Sequence, residues 1–138
     1  MSVQLQVSTS KKTEFVDITP EVERVVRESG VQSGLCYIFV PHTTAGVTIN
    51  ENWDPTVRAD ILSVLDQLVP ASGRYRHAEG NSPAHIKASL MGSSQTVFVE
   101  GGRLVLGSWQ GIFLAEFDGP RRRRALVKVV PDAAATEV

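Results

Sequence analysis

The chain has 138 residues, 42% of them hydrophobic and 21% charged, which suits one domain with a single core and is too short for two of ordinary size. Fourteen Lys and Arg stand against fifteen Asp and Glu, a net charge of −1 that argues against a nucleic-acid partner. The lone Cys36 excludes an internal disulfide, and no apolar run is long enough for a membrane span. Met1 to Ser10 lacks the pattern of a signal peptide, so a cytoplasmic location is expected.

In chain order, Val3, Leu5 and Val7 alternate with polar neighbours and predict a half-buried strand, with a second around Phe15, Val16 and Ile18. Thr19-Pro20 predicts a capped helix running to about Gly30 and burying Val22, Val25 and Val26. Leu35 to Val40 is nearly all apolar and reads as a central strand, followed by another from Ala45 to Asn50. Asp54-Pro55 opens a second helix with a stripe of Val57, Ile61, Leu65 and Leu68, limited by Pro70. Ser82-Pro83 opens a third, ending at Gly92, with Ile86 and Leu90 as its expected buried face. Strands follow at Thr96 to Val99, Arg103 to Leu106, Ile112 to Phe117 and Ala125 to Val130, with Gly101-Gly102 as a tight hairpin turn. The pattern predicts an α+β fold: one domain over 1–138, a sandwich of mixed β-sheets with about three helices. A frayed tail is expected over 131–138.

Polar residues concentrate in three segments: Pro41 to Asn52, Tyr75 to Gly92 and Gly107 to Arg124. They contain all three histidines, His42, His77 and His85, which are candidate metal ligands or ordinary surface and core histidines. Glu79, Glu116 and Asp118 are candidate acid/base groups. Glu116 and Asp118 share a strand face, which suggests a half-buried pocket and a raised pKa for one of them. The plainer reading is that they neutralise the run Arg121 to Arg124, half of which should face inward. Arg121 is a candidate phosphate clamp. Asn50, Asn81, Trp109 and Gln110 are candidate substrate contacts, and Lys87 is either an anion contact or a solvated lysine. Cys36 reads as an inert core thiol.

The strings PHTTAGVTINEN, YRHAEGNSPAHIKASLMGSS and GSWQGIFLAEFDGPRRRR resemble the YjbQ family of small proteins. The resemblance implies an α+β sandwich, a compact homotrimer and a weak, secondary thiamine-phosphate synthase activity. It marks His42, His77 and His85 as imidazoles of one polar pocket and as metal ligands. Glu79, Asn81, Glu116, Asp118 and Arg121 become their polar partners. Gly46 stands where a second alanine is commoner, Trp53 where a small residue is usual and Pro83 where aspartate is expected.

Taken together, these features predict a metal-dependent enzyme acting on a phosphorylated small molecule. Zinc or another transition metal suits three imidazoles better than magnesium, which prefers oxygen. In thiamine-phosphate synthesis the pyrimidine's pyrophosphate would leave as the thiazole nitrogen attacks, and a cation would stabilise the departing charge. The rival reading is a non-catalytic homotrimer that binds a metal or a small ligand; a third is a structural trimer whose histidines are satisfied by hydrogen bonds.

Overall fold

The computed structural model describes residues 1–134. Its elements, in order, are β1 (Val3–Ser8), β2 (Glu14–Asp17), α1 (Thr19–Ser29), β3 (Ser33–Phe39), β4 (Ala45–Glu51), α2 (Pro55–Leu68), α3 (Ser82–Met91), β5 (Ser94–Glu100), β6 (Arg103–Leu104), β7 (Gln110–Glu116) and β8 (Arg122–Pro131). They form the α+β sandwich expected, with a five-stranded sheet ordered β1-β8-β3-β5-β6 and a three-stranded sheet ordered β2-β7-β4. Each of the ladders is antiparallel, and β3 lies at the centre of its sheet as the apolar run predicted.

The alternation of β7 explains how the layers stack. Ile112 and Leu114 point into the core between the sheets, where they meet Ile38, Val47 and Val127. Ala115 and Phe117 point the other way, onto Ala84 and Ala88 of α3 with Leu62 and Leu65 of α2 alongside. Helix α1 sends Val22, Val25 and Val26 into the main core, as its spacing predicted, and Gly30 ends it at φ 71°, where a side chain would be strained. Each such valine contributes roughly 1.5–3 kcal/mol by burial. Gly101 and Gly102, at φ 58° and 73°, make the tight turn between β5 and β6.

Three local expectations change. Asp54 caps α2 by accepting from the Thr56 N–H at 2.9 Å, but Thr19 and Ser82 are already inside their helices. Asp17 takes over the capping role at α1, accepting from both the amide and the hydroxyl of Thr19. The frayed tail does not begin at Pro131, because β8 runs through it. Asp132 then bonds Ser33 twice, by its amide at 2.9 Å and its carboxylate at 2.6 Å. Positions 135–138 of that expected tail lie outside the described residues. Finally, the stripes of α2 and α3 are not buried as drawn. Leu68, Ile86 and Leu90 are exposed, and α3 buries Ala84, Lys87 and Ala88 instead.

Candidate functional site

The segments that looked like one pocket occupy three places. At the β7–β8 corner, Glu116 faces the inter-sheet core and meets Arg123, which points inward from β8. Arg123 Nε donates to Glu116 Oε1 at 2.9 Å, Thr9 Oγ1 donates to the same oxygen at 2.7 Å, and the Asp118 amide donates to Oε2 at 3.1 Å. Arg123 Nη2 also donates to Thr44 Oγ1. Burial alone would raise the Glu116 pKa, yet these donors outweigh it and hold the carboxylate below its ordinary value. Glu116 is fully buried with both oxygens engaged, so it joins the sheets and has no access to a ligand.

Asp118, just beyond, accepts from Asn81 Nδ2 at 3.0 Å and from Arg121 Nη2 at 3.0 Å. Burial opposes its charge, but Asn81, Arg121 and nearby Lys12 lower its pKa as well. The raised carboxylate pKa expected at this pair is therefore not found, and the neutralising reading of the arginine run holds through Arg123. Arg121 spends two contacts on Asp118, its Nε donating to the Asp118 carbonyl at 2.7 Å, while over half its side chain is exposed.

The second place is α3, which separates two cavities. At 100° per residue, Ser82, His85 and Ile86 share one side of the helix, and Pro83, Ala84 and Lys87 the opposite one. His85 meets His77 on its own side, the rings edge-to-face with centroids 5.4 Å apart. Both line an open cavity of about 440 Å³ with Arg74, Tyr75 and Arg76. Glu79 approaches His77 Nε2 to 3.9 Å. On the opposite side, a cavity of about 430 Å³ is lined by Lys12, Asp66, Asn81, Lys87 and Asp118, among others. Lys87 is buried against Asp66 of α2 rather than solvated. The side chain of Asn81 serves Asp118 and does not cap α3.

His42 stands apart from the other two histidines. Its Nε2 accepts from the Arg124 amide at 3.0 Å, supplying that strand N–H with a partner just past the end of β3. Burial, with Arg123 and Arg124 close by, lowers its pKa against the opposing pull of Glu116. Its ring is therefore neutral at pH 7, with the Nε2 lone pair already in use. Among the described residues, no group of three His, Cys, Asp or Glu side chains is placed to hold a metal within one chain.

The third place is the far end of the β4–β7 ladder, where Glu51 pairs with Gln110 while Ala45 pairs with Glu116. Six steps at about 3.4 Å separate the ends by about 20 Å. Asn50, Trp109 and Gln110 therefore lie far from Glu116. The exposed Trp109 packs edge-on against Trp53 at 5.7 Å, Gln110 Oε1 accepts from the Gly107 amide, and Asn50 Oδ1 accepts from Glu51 N. Gly111 is required here, since a Cβ would sit 2.5 Å from Asn52 Nδ2.

Sequence reasoning missed Lys12, Asp66, Arg74 and Arg76. The only available signal for Asp66 was an acidic residue next to the stripe of α2, and for the arginines their position beside His77. Cys36 is as inert as expected, its thiol pushed up to about 11 by burial.

The model of the UPF0047 protein YjbQ-like family matches residues 3–132. The chain is a member of the YjbQ family. A UPF0047 protein of Methanocaldococcus jannaschii is 53% identical over 132 residues, 96% of either chain. Among solved structures, an uncharacterized YjbQ/UPF0047 protein from Clostridium acetobutylicum is 55% identical at a TM-score of 0.92, covering 93% of this chain and 99% of that one. A protein of unknown function from Sulfolobus solfataricus is 37% identical at the same TM-score, covering 96% and 97%.

Proposed function

We propose that this YjbQ-family chain is a metal-dependent enzyme acting on a phosphorylated small molecule, with the chemistry at the His77–His85 pair. The observation that carries this reading is the contact of two imidazoles inside a cavity that also holds Arg74 and Arg76. Two ring nitrogens are the start of a donor set that suits zinc or a similar transition metal better than magnesium and needs further ligands from outside the chain. When bound, such an ion supplies Lewis-acid stabilisation of negative charge. The arginines supply bidentate hydrogen bonds to phosphate oxygens, and Glu79, exposed beside His77, is the group able to move a proton. Thiamine-phosphate synthesis remains the reaction the family suggests, as a secondary activity.

Association into a homotrimer, in the cytoplasm, belongs to the same proposal. It is supported by apolar side chains with no cover in a single chain: Tyr37, Phe39 and Phe98 on the outer face of the five-stranded sheet, and Val64 and Leu68 on α2. A neighbouring copy is then one source of the further metal ligand that His42 does not provide within the chain. No helix among the described residues is long and apolar enough to cross a membrane.

Metal content of protein purified without a polyhistidine tag, compared with His85→Ala, tests the reading alongside turnover of phosphorylated substrates. The enzyme reading expects metal and turnover to fall together. Loss of metal with turnover unchanged favours the non-catalytic binding homotrimer, and absence of metal from both proteins removes the metal.

A further inference from the structure

We propose that the cavity beside Lys87 is a binding site in its own right, for a small organic anion that also carries hydroxyl or amine donors. It lies between the β1–β2 loop, the end of α2 and the side of α3 that faces away from His85. Its volume of about 430 Å³ suits a small molecule.

Lys87 makes the argument. Its side chain is 7% exposed, and among the described residues the one partner its ammonium has is Asp66, which leaves two of its three donors without an acceptor there. Asp66 is itself 59% exposed, so this pair is not the closed kind that offsets the removal of a cation from water. A buried ammonium with donors to give, on the wall of a cavity, is a group arranged for an anion.

The rest of the lining defines which anion. Lys12 adds a second cation from the β1–β2 loop, while Asp66 and Asp118 place two carboxylates on the same cavity. A bare anion would gain from the lysines and be repelled by the carboxylates. A bare cation would meet the reverse. A molecule with an anionic head and adjacent O–H or N–H donors satisfies both sets, which describes a phosphorylated polyol or an aminoalkyl phosphate. Asp118 is held ionised by Asn81 and Arg121, so it serves as an acceptor here. The site does not depend on the metal reading, because His77 and His85 lie across α3.

Isothermal titration calorimetry on the full chain tests it with glycerol 3-phosphate, phosphoethanolamine, inorganic phosphate and glycerol. The two organic phosphates are expected to bind roughly tenfold or more tightly than inorganic phosphate, and glycerol not at all. Lys87→Met should weaken them at least tenfold and Lys12→Ser severalfold, while Lys11→Ser, at an exposed lysine outside the cavity lining, leaves them unchanged. Absence of binding by either organic phosphate at millimolar concentration, parity with inorganic phosphate, or equal loss in Lys11→Ser overturns the proposal. Should Lys87→Met not fold, Lys12→Ser decides, and unchanged affinity there overturns it.

Discussion

Two ion pairs with a buried cation sit within one domain, and they differ in what becomes of the carboxylate. Glu116 is as buried as Arg123 and takes hydrogen bonds from Arg123, Thr9 and the Asp118 amide. Asp66 stays largely in water while Lys87 is enclosed. The closed pair fastens the two sheets to each other at the end of the sandwich. The open pair leaves donors facing a cavity. Burial of both partners uses up the hydrogen-bonding capacity of an ion pair here, and burial of one alone leaves part of it unspent.

Breaking the closed pair should have the largest effect. Arg123→Met leaves a buried carboxylate without its cation and should cost about 3–5 kcal/mol in urea unfolding. Adding Glu116→Leu to that variant should recover part of the loss, and a full additive penalty would show that the two side chains act independently. Next comes Gly46→Ala, where the new Cβ would lie 2.5 Å from the Gly92 carbonyl oxygen. A cost of about 1–3 kcal/mol is expected from the forced backbone shift.

Lys87→Met sharpens the contrast from the other side. Its methylenes are replaced by a side chain of similar length and Asp66 is already hydrated, so the unfolding free energy should change by less than about 1 kcal/mol. A loss as large as that of Arg123→Met would make Lys87 structural. The smallest effect concerns pH. The folded pKa of His42 lies below its ordinary 6.5, so its contribution is fully present above pH 6.5 and is lost as pH falls through the folded value. Glu116 and Asp118, also lowered, contribute above their ordinary 4.5 and 3.8 and lose that contribution at lower pH. Thermal melts from pH 7 to 3 should decline in these two stages, and His42→Gln should flatten the first alone.

Strand positions were readable because the alternation of Val3, Leu5 and Val7 and the run at Leu35 to Val40 report burial directly. The cap at Asp54 was equally plain. The caps at α1 and α3 fall one residue earlier than expected because threonine and serine fit either position, and the local bonds of Asp17 to Thr19 and the long-range bond of Asn81 to Asp118 decide. The faces of α2 and α3 were misjudged for a different reason. Periodicity assumes that apolar stripes are buried within the chain, whereas Leu68, Ile86 and Leu90 are left outside it. Of the candidate site, His77 and His85 lie only eight positions apart, so a single short loop suffices to bring their rings together. The separation of Trp109 and Gln110 from Glu116 depends on the β4–β7 register and the place of His42 on its contact with Arg124 of β8, neither of which composition encodes.

One border of the larger sheet is the two-residue strand β6, carrying Arg103. So short a stretch of free amides and carbonyls, beside a charged side chain, offers almost no template for a foreign strand. Backbone-to-backbone zippering of one copy onto another is thereby discouraged along that margin.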